Sequence, residues 1–498
     1  MPARRPPSSH KRRPRRTAAK TAASIPKPQD IVDRDAVWAD LVAMWRRPSP
    51  EMLFGVGRRR AGKSWVLTRF AKAVGGIYYQ ATKRTATEQL TTLSRIVGHH
   101  FDDPALGHGV PFPDWEALFA YLVDRTAGQP LLLVLDEFPY LAEAAPALPS
   151  IVQAAWDHRW KATRIKLVLN GSHITAMRQL EAADQPLYGR RTGRILFPPF
   201  HAEHVSAFVS GYDARDRLRT FGIFGGLPGH LALLDPTATL QANVERQILD
   251  PGARLADEAQ HMLDAFLGEA DVHNSIVQAV AAGARTWSRI ANQLGKTAGS
   301  LSRPMRWLEE MQVVTRAVPI TEAKPQASKR TLYRVADPYV AFWYRFIAPI
   351  VATGALGLLT PKALWRGHIA PRLDDYMGAP FEDVCRGWVA RTGRLPFRPS
   401  RVGAWWDSGS QNEIDVVALG PEREILVGEC KWGAVSDQDL VTLRNRAALL
   451  ATELPASHQG GAVHLVVFSG NGTWGPGVAR AIADGMVLGV TGDDLFAL

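Results

Sequence analysis

Residues Met52 to Phe70 read MLFGVGRRRAGKSWVLTRF, a short apolar run, a turn bounded by glycines and a helix pattern. The pattern G-x-x-x-x-G-K-S lets the backbone aim amide N–H groups at phosphate oxygens, and the following helix adds the positive end of its dipole. In this pattern Lys63 reaches the β- and γ-phosphates and the Ser64 hydroxyl ligates Mg²⁺. We therefore predict a nucleoside triphosphate site formed by Gly57, Arg58, Arg59, Arg60, Ala61, Gly62, Lys63, Ser64 and Trp65.

A second stretch, Pro130 to Leu141, reads PLLLVLDEFPYL. Its apolar run shows no alternation, which predicts a strand buried on both faces of a parallel sheet. The run ends at Asp136 and Glu137, and the carboxyl edge of such a sheet is where ligands bind. We expect Asp136 to hold Mg²⁺ and Glu137 to polarise the attacking water as a general base. An acidic loop after a core strand is the alternative.

Strand and helix patterns alternate between residues 29 and 200, which predicts an α/β fold with a parallel sheet. A strand from Ile165 to Asn170 should bring Asn170 and Ser172 to the same edge as Asp136. These two side chains either sense the γ-phosphate or cap a simple turn.

A cluster of arginines follows in the segment YGRRTGR, residues 188–194. Arg190 and Arg191 are candidates for an arginine finger that acts within the chain or on a neighbouring subunit. A finger acting on a neighbour would require a homo-oligomer. Surface arginines packed on acids are the alternative.

The composition limits the remaining interpretations. With 498 residues, 46% of them hydrophobic, the chain is long enough for about three domains with buried cores. No run of about 18 apolar residues occurs, so we expect no membrane span. The two cysteines, Cys385 and Cys430, lie far apart, which argues against a disulfide framework or a zinc site. This usage fits the reducing cytoplasm, where we expect the protein.

The positive charge is concentrated at the N-terminus. Residues 1–28 contain nine Lys and Arg and no acid, which accounts for most of the formal net charge of +11. This tail is rich in Pro, Ser and Arg without apolar periodicity, so we expect it to be disordered. It either attracts phosphate backbones or is a solvated leader. No apolar stretch of a signal peptide follows its charges.

The order of these signals resembles the archaeal-type ATPase family, AAA+/STAND-like P-loop ATPases that also occur widely in bacteria. The resemblance covers roughly residues 30–345 and combines motifs that are weak one by one. They are Asp33-Arg34-Asp35, Gly57 to Ser64, Asp136-Glu137, Gly171-Ser172, Gly189-Arg190-Arg191-Thr192 and Gly225-Gly226-Leu227-Pro228. The resemblance implies an AAA+-like core that uses ATP, followed by a helical lid. It also implies that Ser172 is the small hydroxylated residue of the sensor turn.

The sequence changes character between residues 275 and 335. Two helix patterns, a Gly-containing turn, a third helix pattern and two short β patterns predict a helix-turn-helix with a β-hairpin wing, and the resemblance also places a winged helix here. The outward residues that would face a DNA major groove are Lys296, Ser300, Arg303 and Arg306. A structural lid or partner platform is the alternative. Pro304 fits the third helix best if Ser302 is its N-cap, because proline is tolerated in the first turn.

A new pattern starts near residue 378. One predicted strand carries Asp415, and the next ends in Glu429-Cys430-Lys431. Because side chains alternate along a strand, Glu429 and Lys431 point to the same face. An Asp on one strand and E-x-K on the next are typical of the PD-(D/E)xK nuclease arrangement.

This arrangement assigns a role to each polar residue. Asp415 and Glu429 would bind Mg²⁺, with Glu382 completing the shell, because hard oxygen ligands suit this ion. Lys431 would orient or activate the water for phosphodiester hydrolysis. The alternative is the ordinary edge of an α/β sheet, where strands also end in acids and lysines. The motifs that resemble the nuclease-like domain often found after this ATPase are Trp405-Trp406, Glu413-Ile414-Asp415 and Glu429-Cys430-Lys431-Trp432.

Together these patterns predict an AAA+-like P-loop NTPase sheet with a helical lid, a winged helix and a C-terminal α/β restriction-endonuclease-like domain. The expected segments are a basic tail (1–28), the ATPase core (29–200), the lid (201–271), the winged helix (272–345), connecting helices (346–377) and the nuclease-like domain (378–498). We expect an ATPase that uses ATP and Mg²⁺ and acts on DNA. The alternative is a nucleotide-controlled switch whose C-terminal domain binds DNA or protein without cutting.

Overall fold

A five-stranded parallel sheet forms the first part of the molecule, with the strand order β2-β3-β4-β1-β5. The structure is a computed structural model that describes residues 24–107, 109–264, 270–409 and 411–497. The strands are β1 (Glu51–Val56), β2 (Ile77–Gln80), β3 (Leu131–Asp136), β4 (Ile165–Gly171) and β5 (Gly193–Leu196). The expectation of a disordered tail falls mainly on residues 1–23, which lie outside the described residues.

Helices cover both faces of this sheet. They are α1 (Asp35–Arg46), α2 (Lys63–Val74), α3 (Ala86–His100), α4 (Pro104–Gly107), α5 (Trp115–Thr126), α6 (Phe138–Ala144), α7 (Leu148–His158) and α8 (Ile174–Leu180). Along β3, Leu133 and Leu135 pack in one hydrophobic cluster, whereas Leu132 and Val134 pack in another. All four side chains are buried, which explains the unbroken apolar run. The predicted α/β parallel sheet is confirmed.

The register of the strands brings several polar residues to one edge. Gly55 of β1 lies opposite Asn170 of β4, and Gln80 of β2 lies opposite Asp136 of β3. Parallel strands end on the same side of a sheet, so the loop after β1 starts beside these residues. This edge positions the candidate site.

Short helices follow the sheet. They are a 3₁₀ segment (Ala202–Ala207), α9 (Ala214–Phe224), α10 (Pro228–Leu231), α11 (Leu240–Val244), a π-helical turn (Glu245–Leu249) and α12 (Glu258–Asp264). Phe200 donates its backbone N–H to the carbonyl of Gly226 at 2.6 Å. A Cβ at Gly226 would lie 2.0 Å from the backbone oxygen of Phe200, so only glycine fits this approach. The chain just after the sheet, at Phe200, is thereby held against the turn at Gly226.

Three helices and a hairpin come next. They are α13 (Ala270–Ala281), α14 (Trp287–Leu294), α15 (Ala298–Glu310) and the antiparallel strands β6 (Val314–Ala317) and β7 (Leu332–Val335). The winged-helix assignment of these elements stays a prediction. The expected N-cap at Ser302 is wrong, because α15 begins at Ala298, after Thr297, and Pro304 lies inside the helix. Pro304 is buried there, and its missing N–H removes one helical hydrogen bond.

Connecting helices lead to the C-terminal part. They are α16 (Pro338–Phe342), a π-helical turn (Trp343–Ile347), α17 (Ala348–Ala352), α18 (Pro361–Leu364), a second π-helical turn (Trp365–Ile369) and α19 (Ala370–Arg391). The expected boundary between residues 377 and 378 falls inside α19, which continues through Pro380. One hydrophobic core includes side chains from Phe200 to Leu495. The elements of the second half of the chain therefore share one hydrophobic core and are not separated by extended linkers.

A second, separate sheet forms the C-terminal domain, with the strand order β12-β11-β10-β9-β8. Its elements are β8 (Arg401–Trp406), β9 (Glu413–Leu419), β10 (Ile425–Lys431), α20 (Asp437–Glu453), β11 (Val463–Ser469), α21 (Pro476–Ala483) and β12 (Leu488–Thr491). Strands β8, β9 and β10 are antiparallel neighbours, whereas β10, β11 and β12 run parallel. Within the described ranges, no helix is long and apolar enough to cross a membrane.

Candidate functional site

The loop between β1 and α2 wraps tightly around its own lysine. Gly62 has a φ of 83° just before α2 starts at Lys63, a left-handed conformation that suits glycine. Lys63 is only 5% exposed, and its Nζ donates to the carbonyl oxygens of Gly57 at 2.8 Å and Arg58 at 3.0 Å. The ammonium group is thereby held inside the loop that the sequence pattern assigns to phosphate.

Two carboxylates stand close to this ammonium group. Burial lowers the pKa of Lys63, while the charges of Glu137 and Asp136 oppose that shift. The two acids therefore favour the charged lysine, which is the form that binds phosphate. The predicted lysine and the two predicted acids meet at one place in the structure.

Asp136 accepts hydrogen bonds at both carboxylate oxygens. Its side chain is fully buried, and Oδ2 accepts from the Ser64 hydroxyl and the Tyr78 hydroxyl, each at 2.5 Å. Oδ1 accepts from the Asn170 side-chain amide and from the backbone N–H of Glu137 at 2.9 Å. Burial and the charge of Asp136 raise the pKa of Tyr78, so its hydroxyl stays protonated and donates. Sequence interpretation missed Tyr78 as a member of the site.

Glu137 is held by the turn after β4. Its Oε2 accepts from the backbone N–H of Ser172 at 3.1 Å and from the Ser172 hydroxyl at 2.9 Å. Its backbone has a φ of 51°, a left-handed conformation that is rare for a residue with a side chain. Such strain at a carboxylate beside the phosphate loop is common at functional sites. Ser172 thus touches the candidate general base directly.

The oxygens at this edge fit a magnesium ion. The Ser64 hydroxyl and the Asp136 carboxylate are adjacent hard ligands, and Mg²⁺ takes only one or two protein ligands when phosphates supply others. The Oδ1 atom of Asn170 is buried and has no hydrogen-bond partner among the described residues. An orphan acceptor beside Asp136 is consistent with a polar ligand at this place.

A cavity of about 430 Å³ opens over the loop. Its polar lining includes Lys63, Ser64 and Glu137. Its apolar lining comprises side chains of Ile31, Phe200, Phe208 and Pro228. A lining that combines charged and apolar side chains is compatible with a ligand that carries both phosphates and a base.

Arg34 ties the loop to the segment that leaves the sheet. This residue is 4% exposed, and its Nη2 donates to the carbonyl oxygens of Ala61 at 3.2 Å and Pro198 at 2.7 Å. Its guanidinium group also lies 4.5 Å from the ring centroid of Phe200. Burial lowers the pKa of Arg34. The sequence marked Arg34 only as part of a motif, and the structure makes it a wall of the cavity.

The side chains of two loop arginines pair with acids outside the loop. Arg58 pairs with Asp337 at 2.6 Å, and Arg60 pairs with Glu258 at 2.8 Å. Both acids belong to the second half of the chain, so these side chains anchor the loop to it. Of the three loop arginines, Arg59 and Arg60 line the cavity and Arg58 does not. The predicted phosphate-binding role of the loop backbone at Arg58 and Arg60 stays a prediction.

The candidate finger arginines are also bound to acids. Arg190 donates to Asp157 at 2.8 and 3.0 Å, and Arg191 pairs with Glu181. Neither arginine lines the nucleotide cavity of its own chain. In this structure the acids hold both side chains away from the cavity, and the predicted arginine finger stays a prediction.

Trp65 is half-exposed at the rim of the cavity. Its exposed fraction is 51%, and the Arg69 guanidinium group lies 3.2 Å from the ring centroid. Its indole N–H points to the backbone oxygen of Asp30 at 3.4 Å. Trp65 therefore helps to hold the N-terminal segment that borders the cavity.

In the C-terminal sheet, the E-x-K pair of β10 is joined by a hydrogen bond. Lys431 Nζ donates to Glu429 Oε1 at 2.8 Å, and it lies 3.3 Å from Asp439. Asp415 Oδ2 accepts the backbone N–H of Cys430 at 2.8 Å. Burial, with the charges of Glu382 and Glu429, raises the pKa of Asp415 to about 8.

The third predicted ligand, Glu382, is engaged by an arginine. Arg386 lies 3.4 Å from Glu382 Oε2 and donates to the backbone oxygen of Asp415 at 2.6 Å. Across the part of the chain that the structure describes, no three His, Cys, Asp or Glu side chains are grouped to hold a metal ion. Glu382, Asp415 and Glu429 are therefore not arranged as a three-ligand site in this structure, and their role as Mg²⁺ ligands stays a prediction.

The strand, loop and helix around Lys63, with Asp136 at the end of β3 in the same sheet, define the class of P-loop ATPases. Residues 31–234 match the family described as an ATPase domain predominantly from Archaea. Residues 343–443 match a family described as archaeal and bacterial proteins of unknown function. These two matches confirm the resemblance to the archaeal-type ATPase family that was seen in the sequence.

Individual relatives extend over much of the chain. An uncharacterised protein of Methanocaldococcus jannaschii, MJECL04, is 27% identical over 395 residues, which cover 78% of this chain and 84% of that protein. The Walker-type ATPase PABY2304 of Pyrococcus abyssi is 20% identical and covers 64% of this chain and 97% of its own, with a TM-score of 0.47. The ORC2 protein of Aeropyrum pernix is 16% identical and covers 64% and 92%, with a TM-score of 0.37.

Proposed function

We propose that this protein binds ATP with Mg²⁺, hydrolyses it, and uses the nucleotide cycle to control DNA handling by its second half. The observation that carries the first part is the convergence of Lys63, Ser64, Asp136 and Glu137 beside a cavity whose lining combines polar and apolar side chains. Each group has a role in phosphoryl transfer to water.

The chain's own residues account for the chemistry. Lys63 exchanges the carbonyls of Gly57 and Arg58 for phosphate oxygens. Ser64 and Asp136 would hold Mg²⁺, which when bound neutralises charge on the phosphates. Glu137, oriented by the two hydrogen bonds from Ser172, takes the proton of the attacking water.

The second half supplies the surface that we propose for DNA. Along α15 and the turn before it, Lys296, Ser300, Arg303 and Arg306 are exposed. These side chains combine positive charge with hydrogen-bond donors on one short helix, as a groove-reading helix requires.

We propose that residues 272–345 act as a winged helix, after a core of residues 29–200 and a lid of residues 201–271. Residues 346–377 connect this part to the domain of residues 378–498.

The double variant Arg303→Ala/Arg306→Ala is expected to weaken binding of the full chain to duplex DNA about tenfold at low salt and to lower the log–log salt slope by about two. The measurement is a fluorescence anisotropy titration at several salt concentrations. Arg366→Ala/Arg480→Ala is the matched control, because both of these arginines are exposed and lie outside α13–α15. Equal losses of DNA affinity in the two double variants would show that only the total positive charge matters. That result would contradict the assignment of α15 as the DNA-binding helix.

A second function, Mg²⁺-dependent cutting of DNA, is favoured by the Lys431–Glu429 pair at 2.8 Å beside Asp415. We expect wild type to nick plasmid in Mg²⁺ and ATP, and Lys431→Ala to lose at least about 100-fold in rate, as for removal of a group that activates water. Lys362→Ala removes an exposed lysine outside the domain and is the control. An uncut plasmid with every variant would leave the nucleotide-controlled switch, which binds DNA or protein without cutting, as the better proposal.

A further inference from the structure

Tyr78 is a residue of the ATPase site to which the sequence motifs assign no role. Its hydroxyl donates to Asp136 Oδ2 at 2.5 Å, the same oxygen that Ser64 engages from α2. The opposite oxygen is held by Asn170 from β4 and by the backbone N–H of Glu137. Strand β2, helix α2 and strand β4 thus fix one buried carboxylate from three sides.

The two hydroxyl groups that donate to Asp136 Oδ2, those of Ser64 and Tyr78, differ in whether they also ligate the cation in the proposed site. A serine that ligates a cation turns its oxygen toward that cation. In the proposed site Ser64 would therefore ligate Mg²⁺ in addition to contacting Asp136. Tyr78 reaches Asp136 from an outer strand of the sheet, with Ser64 and Thr68 as further hydrogen-bond neighbours of its hydroxyl. Its hydrogen bond to Asp136 is compatible with either orientation of Ser64. A buried carboxylate oxygen without any hydrogen-bond donor would be energetically costly. Tyr78 supplies a donor to Asp136 Oδ2 in both orientations of Ser64.

We propose that Tyr78 is a positioning residue that holds Asp136 in the orientation that retains Mg²⁺ with the nucleotide. The inference rests on the proposed ATP and Mg²⁺ site and adds to it a residue outside the known motifs. Hydrogen bonds that orient a metal ligand typically change metal affinity about 10–100-fold. A change of this size in the Mg²⁺ requirement is therefore the expected signature of Tyr78.

The sequence provides a matched control at the next position. Tyr79 follows on the same strand, and its hydroxyl donates to Gln89 Oε1 at 2.9 Å in the hydrophobic cluster on the other face. Tyr78→Phe and Tyr79→Phe each remove one hydroxyl and one side-chain hydrogen bond from β2. Only the first removes a contact to Asp136.

The experiment measures binding of a fluorescent ATP analogue to the full chain across a Mg²⁺ titration, with a second series in EDTA. We expect Tyr78→Phe to raise the half-saturating Mg²⁺ concentration about tenfold or more while its affinity for the analogue in EDTA stays at the wild-type value. Tyr79→Phe should keep the wild-type Mg²⁺ midpoint. In a parallel ATPase assay, saturating Mg²⁺ should restore most of the turnover of Tyr78→Phe.

Each other result has a distinct meaning. A Mg²⁺ midpoint of Tyr78→Phe equal to that of wild type overturns the positioning role while leaving the proposed function intact. Equal shifts in both variants, accompanied by equal drops in melting temperature, would make Tyr78 a structural residue and also overturn it. A wild-type protein that binds no analogue with or without Mg²⁺ would refute the proposed function itself.

Discussion

Lys63→Ala should lower the affinity for ATP by about 100-fold or more and abolish measurable turnover. The lysine is buried in the loop, and its Nζ is the charged donor that exchanges backbone carbonyls for phosphate oxygens. A hydrogen bond to a charged group contributes about 1.5–3 kcal/mol, and about 1.4 kcal/mol corresponds to tenfold in affinity. Losing two such bonds gives the expected range. Equilibrium dialysis with labelled ATP and a phosphate-release assay measure both effects.

Lys72→Ala is the matched control for this substitution. Lys72 lies on the same helix, α2, but in its last turn, where it is exposed and remote from the loop. The control should bind and hydrolyse ATP like wild type, and both variants should keep the helical circular dichroism signal. Uptake of ATP by Lys63→Ala at the wild-type level would remove the basis of the nucleotide assignment.

Glu137→Gln should lower kcat by about 10²- to 10⁴-fold and leave ATP affinity within a few-fold of wild type, because a general base contributes rates of this size. The glutamine keeps the shape of the side chain and one oxygen that accepts from Ser172, but it cannot take a proton. The variant should therefore accumulate with uncleaved ATP bound. Single-turnover hydrolysis and dialysis distinguish binding from chemistry.

The control for Glu137→Gln is Glu143→Gln. Glu143 lies on α6, which Glu137 precedes, and its side chain is exposed away from the loop. It should retain wild-type kcat. A Glu137→Gln protein that turns over as fast as this control would show that another group activates the water and would assign Glu137 to shaping the turn alone.

Local sequence predicted the parts of the site that depend on short spacing. The glycines of the loop place Lys63 at the start of α2, and the unbroken apolar run of β3 ends at Asp136 as expected. Both results follow from properties of a few consecutive residues, namely the left-handed backbone at Gly62 and burial of both faces of a central strand. The roles of these side chains in binding and hydrolysis stay predictions until the variants are measured.

Residues outside the short motifs could not be assigned in this way. Tyr78 enters the site because β2 pairs with β3 so that Gln80 lies opposite Asp136, a register that the strand sequences do not specify. Knowledge of that register, together with the period of two along a strand, would have pointed to Tyr78. Arg34 similarly acquires its role through contacts with Ala61 and Pro198, which lie 27 and 164 residues away in sequence.

The partners of arginine side chains were the least predictable feature. A guanidinium group is long, always charged and able to pair with any nearby acid, so its partner depends on which acids the fold brings close. The Arg58 and Arg60 guanidinium groups are therefore bound to Asp337 and Glu258, and Arg190 and Arg191 are held by Asp157 and Glu181. The same reason applies to Glu382, which the pattern placed with two other acids and the structure pairs with Arg386.

The sequence by itself determined the phosphate loop, the central buried strand and the alternation of strands and helices that produces a parallel sheet. These depend on backbone freedom and on burial of apolar side chains, which act over a few residues. The tertiary structure alone decided which side chains surround Asp136, which acids the arginines bind and how α19 joins the two halves in one core. Such features depend on contacts between residues distant in the chain, and these contacts arise only when the strands adopt their order and register.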